Sequence, residues 1–326
     1  HVRSQLAVSQ PLPRPASLDI AALVNATVNL GGSPTRLTQC QGKKAIQALP
    51  LGSAIGWEAK LHGLWDISER DAGKLLETFL EKTLDAYENG RDVPADNATS
   101  LLSPYLQAGL ISPRRIWQTT QAHALSAGKE NAAEAFLREL TWREFAFCQL
   151  YRLPELATEP VNEKFRYFPW QSNATQQKQW QRGETGIPLV DAGMRELWET
   201  GYMHNRVRMV AASFLIKNLL QPWQDGRAWF DDCLIDACPA NNSMNWQWVA
   251  GCGIDAAPYF RIFNPVRQSQ RFDPSGDYIR RWVPELSNLP GKYIHEPWLL
   301  PDRIAKETGF TPGKDYASDQ SHVNGT

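Results

Sequence analysis

The sequence predicts an all-α fold, and three observations carry that expectation. Apolar residues recur at three- and four-residue spacing, beginning with Leu75, Leu76, Phe79, Leu80, Leu84 and Tyr87. No alternating strand pattern occurs, and no Gly-rich turn joins a strand to a helix. Helix starts and stops punctuate the chain, as where Gly90 and Pro94 close the first periodic stretch.

Taken in order, residues 1–65 are rich in Pro, Gly, Ser and Thr and read as a linker and wrapping segment. They open on His1 rather than Met, so a preceding segment is expected. The helical domain spans 66–310. Its first helix starts near Asp71 and ends at ENGRDVP, a hydroxyl-dense loop (NATSLLSPYL) follows, and SPRR opens the next helix. Asn131 to Tyr151 is helical, FRYFPWQSN is a looser connection, and TQQKQWQRG resumes helix. DAGMRELWETG reads as a short helix with Asp191 as its cap and Gly201 as its stop. HNRVRMVAASFLIKNLLQPW reads as a long amphipathic helix ended by Pro222. Periodicity fades after Pro301, and 311–326 is expected to be a disordered tail.

Composition narrows the function. Hydrophobic residues make up 42% and charged residues 21% of 326, which supports a large core. No apolar run is long enough for a membrane span, and no signal-peptide pattern opens the chain. Five cysteines without a CxxC pair argue against a disulfide framework or a metal site and fit a reducing cytoplasm, beside the nucleoid in a bacterium. A net charge of −1 restricts any nucleic-acid contact to a local patch. Arg261, Arg267, Arg271, Arg280 and Arg281, against Asp273 and Asp277, form one candidate, although a solvated ion-paired face has the same composition.

Four constellations carry candidate chemistry. In RELTWREF, helical spacing puts Glu139, Trp142, Arg143 and Ala146 on one face, which alone could be a surface ion pair beside a Trp. In GYMHNRVRM, Asn205, Arg208 and Met209 share a face while Arg206 points elsewhere. Cations at a helix start oppose the macrodipole, so these arginines should have anionic partners unless they simply face solvent. In LIDACPANNSMNWQW, Trp246 and Trp248 point about 200° apart on a helix, Asp236 is a partner for Arg208, and Asn242 sits one turn before Trp246. Thr99 to Ser103 offers hydroxyls and backbone N–H groups suited to a phosphate, though such loops are common.

Together, TWREF, GYMHNRVRMVAASFLIKNLL and NNSMNWQWVAGCGIDAAPYFRIFNP resemble the photolyase/cryptochrome family over roughly residues 60–300. FRYFPW and DAGMRELW place the resemblance among cyclobutane pyrimidine dimer photolyases, in the branch near plant cryptochromes. The resemblance implies a helical domain holding FAD in a folded conformation. Tyr87 and the loop Thr99, Ser100, Leu101, Leu102 and Ser103 would hold its diphosphate, with Leu101 standing where the family commonly has Arg. Arg143 would lie by the cofactor, Arg208 and Asp236 would pair beside the isoalloxazine, and Asn242 would lie near flavin N5. Cys238 stands where a second Asp is usual, Tyr202 where a Trp is more frequent, and Asn245 where Gly is usual.

For substrate, Trp142 and Trp248 would wedge a flipped-out dimer and Glu139 would hydrogen-bond the thymine edge. Asn205, Arg206 and Met209 would complete the rim, and Arg91, Arg206, Arg267 and Gln268 would bind the backbone of UV-damaged DNA. Trp246, Trp223 and Trp170 match the electron-hopping triad. The activity implied is that of a deoxyribodipyrimidine photo-lyase: reduced anionic FAD absorbs blue light, passes an electron to the dimer, and regains it after the ring splits. The family's N-terminal antenna domain has no counterpart here, so no antenna chromophore is expected on this chain, which is expected to be a monomer. The rivals are a cryptochrome-like photoreceptor that binds FAD without repair, and an inactive DNA- or RNA-binding remnant. Trp248, and a pocket with His204 alone rather than a His pair, favour the cyclobutane lesion over the (6–4) photoproduct.

Overall fold

The computed structural model describes residues 60–61, 63–65, 68–257 and 261–317. The chain falls into two units, Gln10–Trp65 and a larger one that includes Asp66–Thr326. Nearly all of the 1–65 segment lies outside the described residues; of it, Lys60 and Leu61 are helical. The larger unit holds the helical domain.

Its elements are α-helices with short 3₁₀ connections, and no β-strand occurs among the described residues. They are α1 (Glu69–Lys82), α2 (Leu84–Gly90), α3 (Ser103–Gln107), α4 (Pro113–Ala127), α5 (Glu130–Arg152), α6 (Ala174–Arg182) and α7 (Pro188–Thr200). Then come α8 (Asn205–Ser213), α9 (Trp223–Cys233), α10 (Pro239–Ala250), α11 (Pro265–Phe272), α12 (Asp277–Trp282), α13 (Gly291–Ile294) and α14 (Asp302–Thr308). None of the described helices is long and apolar enough to cross a membrane.

Ser68 caps α1 by accepting from the Asp71 N–H (3.1 Å). The periodic stretch expected as one helix is two, because Thr83 leaves helical geometry at φ −120°. The apolar stripe survives the break: Leu76, Phe79, Leu80, Leu84 and Tyr87 pack with Ile116, Trp117, Phe136 and Leu140 in one core cluster. The long α5 runs through the molecule, meeting α2, α4 and α10.

Three expectations need correction. Asp191 is not the cap of α7 but lies in its first turn, fully buried, and accepts from Thr185 N (2.8 Å), Thr185 Oγ1 (2.6 Å) and Gly186 N (3.0 Å). Gly201 does end α7, at φ +69°. The stretch after His204 is not amphipathic: α8 passes into a π-helical turn, Phe214–Asn218, and Val210 through Lys217 are all buried. A π turn widens the backbone and shifts the register of the residues after it. Here it takes Lys217 into the interior, where its ammonium donates to Ala250 O (2.7 Å) at the end of α10 and burial pulls its pKa down to about 8. The tail is ordered further than its composition suggests. α14 follows Pro301, and Tyr316 is buried with its hydroxyl donating to Asp191; residues 318–326 lie outside the described residues.

A second core forms where α6, α9 and α10 converge. Trp180 stacks on Phe230 (5.9 Å), and Trp246 meets both rings edge-on, at 5.0 Å from Phe230 and 6.3 Å from Trp180. Gly226 makes this approach possible, because a Cβ there would lie 2.2 Å from Trp246 Cη2 and 2.5 Å from Leu215 Cδ2. Gly226→Ala is therefore expected to destabilise the fold by about 1–3 kcal/mol through overpacking. Urea unfolding followed by tryptophan emission measures it, and an unchanged midpoint would contradict this packing.

Candidate functional site

The site is anchored where α8 begins. His204 caps the helix, its Nδ1 accepting from the Arg206 N–H (3.2 Å). One turn on, Arg208 forms a two-pronged pair with Asp236, Nη1 to Oδ1 at 3.0 Å and Nη2 to Oδ2 at 2.9 Å, while its Nε donates to Met203 O (2.6 Å). Ser103 Oγ, from the hydroxyl loop, donates to the same Asp236 (2.6 Å). The Tyr202 ring lies 5.2 Å from the guanidinium. Burial alone would lower the pKa of Arg208, but the charge and hydrogen bonds of Asp236 hold it above the usual value. The partnership expected from the sequence is formed, and it ties the 99–103 loop, α8 and the turn before α10 together.

In that loop the Leu102 N–H donates to Ser100 Oγ (3.4 Å). Leu101 adopts φ +52°, an uncommon conformation for a residue with a branched side chain, and its side chain is exposed. Thr99 hydrogen-bonds Tyr202, whose pKa burial pushes up to about 12.

On α5, Glu139 and Trp142 reach the surface and Arg143 is half-buried, whereas Ala146 is buried. Trp142 is 42% exposed, and its ring meets that of Phe145 at nearly a right angle (5.8 Å). Glu139 pairs with Arg91, whose guanidinium lies 5.8 Å from the Tyr87 ring. Tyr87 is itself packed edge-on against Phe79 (5.6 Å) and Phe136 (5.5 Å), and burial raises its pKa to about 12. Arg143 pairs with Glu144 (2.5 Å) and lies over Phe147 (4.7 Å). Next to Arg91, Asp92 pairs with Arg206 (2.7 Å). Two of the arginines expected on DNA are thus engaged inside the chain, which the linear spacing did not reveal.

Helix α10 presents its residues in two directions. Trp246 is buried, while Trp248 is half-buried, 6.1 Å from Phe263 and 5.6 Å from the Arg261 guanidinium, at the wall of a small cavity that also includes Lys217 and Gly251. The Asn242 amide nitrogen donates to Asp231 Oδ1 (2.6 Å) and Arg227 O (3.1 Å). Its N–H groups are used on α9, so its carbonyl oxygen is left as an acceptor. Cys238 sits at the N-cap of α10 in an apolar cluster with Ala146 and Ala240, and its sulfur accepts from Asn241 Nδ2 (3.2 Å).

Of the triad, Trp246 packs on Phe230 and Trp180; Trp180, which donates to Ala211 O (3.0 Å), was not singled out in the sequence. Trp223 is buried at the start of α9. The segment carrying Trp170 is bonded to the stretch leading into Trp223, through Gln171 N to Leu220 O (2.8 Å) and Asn173 N to Gln221 Oε1 (3.2 Å). Asn205 is exposed, its amide 4.0 Å from Met209 Sδ. In the basic segment, Arg261, Arg267 and Arg271 are exposed and have no acidic partner among the described residues, and Gln268 is half-buried on α11. Arg280 differs, since it donates to Ser287 O (3.2 Å) and Leu289 O (3.0 Å) and serves the fold.

Residues 136–324 match the family described as the FAD binding domain of DNA photolyase. The chain belongs to the photolyase/cryptochrome family. It is 49% identical over 260 residues to a deoxyribodipyrimidine photo-lyase of Agrobacterium fabrum, covering 80% of this chain and 54% of that protein. It is 39% identical to cryptochrome-1 of Sinapis alba, over 79% of this chain and 53% of the other. The crystal structure of a bacterial class III photolyase from Agrobacterium tumefaciens superposes with a TM-score of 0.82 at 46% identity, over 87% of this chain and 59% of that one. The chain spans about half the length of the curated relatives it matches. Its helical architecture is that of the photolyase FAD-binding domain.

The cap of α8 makes a pH prediction. Burial drives the His204 pKa down from 6.5 to about 4; Asp92 opposes this, and Arg208 and Arg206 reinforce it. The folded state therefore keeps His204 neutral where the unfolded chain protonates it. Stability from this residue is complete above pH 6.5 and erodes as pH falls to about 4, by about 3 kcal/mol in all. In unfolding titrations between those limits, His204→Asn, which keeps a capping acceptor, should show a flatter pH dependence than the unaltered chain.

Proposed function

We propose that the chain binds FAD beside the Arg208–Asp236 pair and repairs cyclobutane pyrimidine dimers in DNA under blue light. The observation that carries this reading is on α5. There a flat indole, Trp142, stands exposed one turn from a carboxylate, Glu139, that pairs with Arg91, and the 91–92 turn ties that surface to α8. An exposed indole beside a hydrogen-bonding carboxylate suits a flat, polar-edged ligand such as a flipped base.

The donor set fits the cofactor. The Ser100 hydroxyl and the loop's backbone N–H groups, with Arg143, suit a diphosphate, Ser103 and Thr99 hold the loop through Asp236 and Tyr202, and the carbonyl of Asn242 suits a ring N–H. Tyr87 would wall the same region, and Leu101, Leu102 and Cys238 would contribute backbone and packing. Bound FAD in its reduced anionic form would supply an electron on excitation. The protein's part is to orient and to exclude water. Asp236 keeps Arg208 in place, and Trp142 and Trp248 pack on the faces of an extruded dimer. Glu139 accepts hydrogen bonds from the thymine edge, and Asn205 and Met209 close the rim. A dimer is poorly stacked and so costs less to extrude than an intact base. Arg91, Arg206, Arg267 and Gln268 would hold the flanking backbone, and Trp246, Trp223 and Trp170 would pass electrons from the surface to an oxidised cofactor.

The alternative is a blue-light photoreceptor without repair. It is favoured by Cys238, a thiol packed among apolar neighbours where a carboxylate would bind more strongly. The test is loss of dimer from an oligonucleotide carrying one thymine dimer, with photoreduced protein under blue light and a dark control. Light-dependent loss is expected, and about tenfold less per absorbed photon in Glu139→Gln, which removes a charge-assisted hydrogen bond. No loss from protein that holds reduced FAD and binds the lesion would leave the photoreceptor reading.

A further inference from the structure

Arg206 is held unusually firmly for a residue near a surface. Its guanidinium lies 4.4 Å over the Phe272 ring, its Nη2 meets Asp92 Oδ2 at 2.7 Å, and its side chain is only 18% exposed. Its Nε is buried without a hydrogen-bond partner among the described residues. The ring and the carboxylate hold the guanidinium at two points. One terminal nitrogen, Nη1, is left for an outside acceptor. Arg271 approaches the same ring, 5.0 Å away, so two guanidinium groups meet at Phe272. Like charges repel, and the carboxylate of Asp92 offsets that repulsion at one of them.

We infer that Asp92 and Phe272 are positioning residues for Arg206, holding its guanidinium ready for a backbone phosphate of the DNA. The inference rests on the reading of Arg206 as a phosphate contact. A free arginine side chain loses rotamer freedom when it docks, and each such immobilisation weakens binding about two- to tenfold. Ordering it beforehand removes that loss. The chain carries a net charge of −1 and so has no long-range basic field to compensate for a poorly placed cation. The neighbouring residue repeats the arrangement, since Arg91 lies over Tyr87 and is bonded at its edge by Glu139. The opposite role for Asp92, a carboxylate that competes with phosphate for Arg206, predicts the reverse sign.

The experiment is the affinity of the full chain for a dimer-containing duplex between 50 and 200 mM salt, the range over which phosphate contacts dominate the slope by roughly 0.9 each. Arg206→Gln should lower the slope of log affinity against log salt by about 0.9; an unchanged slope would overturn both the phosphate reading and the inference. With that established, Asp92→Ala and Phe272→Leu should each weaken binding about two- to tenfold while keeping the slope of the unaltered chain, because the phosphate contact still forms at a larger ordering cost. Asp92→Asn, which keeps an acceptor for Nη2, should restore most of the affinity. Combining Asp92→Ala with Arg206→Gln should add little beyond Arg206→Gln alone. Equal or tighter binding by Asp92→Ala would overturn the inference. So would equal weakening by Asp92→Ala with Arg206 present or replaced by Gln, because a general loss of structure acts whether or not the arginine is there. Melting curves of each variant separate folding from binding.

Discussion

The buried pair of Arg208 and Asp236 is the interaction on which the rest of the site depends. Neither charge is stable alone in the interior, and breaking such a pair leaves an uncompensated charge at a cost of about 3–5 kcal/mol. Its two parallel hydrogen bonds specify direction as well as distance. By also accepting from Ser103, Asp236 fixes the hydroxyl loop, and by donating to Met203 O, Arg208 fixes the entry into α8. The polar network continues outward. The half-buried Glu196 accepts from His204 N (3.2 Å) and Tyr278 hydroxyl (2.5 Å), and desolvation raises its pKa.

Helix α10 shows how one short sequence serves two environments. Trp246 enters an aromatic core that Gly226 makes room for, and Trp248 faces a cavity beside Arg261. Lys217, brought inward by the π turn, bonds the last carbonyl of that helix and steadies the end that carries Trp248. The stability of the core and the orientation of the candidate site are therefore linked through a single element.

Much of this was legible in the sequence, for physical reasons. Periodicity marked the helices because their buried stripes are strong. The Arg208–Asp236 pair was legible because a cation at a helix start demands a counter-ion, and the divergence of Trp246 and Trp248 follows from helix geometry alone. What could not be read depended on contacts between distant segments. Asp191 sits in the right composition for a cap, but its partners are the preceding loop and Tyr316, more than a hundred residues away. The stretch after His204 reads as amphipathic because Lys217 and Ser213 are polar, yet both are buried and satisfied by other segments. Arg91 and Arg206 read as contacts to DNA phosphate, with an anion expected near the start of α8 but not named, and only the fold brings Glu139 and Asp92 to them.

The most direct test of the account is a titration with FAD, comparing the unaltered chain with Asp236→Asn by flavin fluorescence. If the Arg208–Asp236 pair organises the cofactor site, the unaltered chain will take up the flavin. The variant should bind it at least tenfold more weakly while keeping its helical circular dichroism, a difference of about 1.4 kcal/mol or more. Equal affinity in the two proteins would contradict the account and move the cofactor away from this pair.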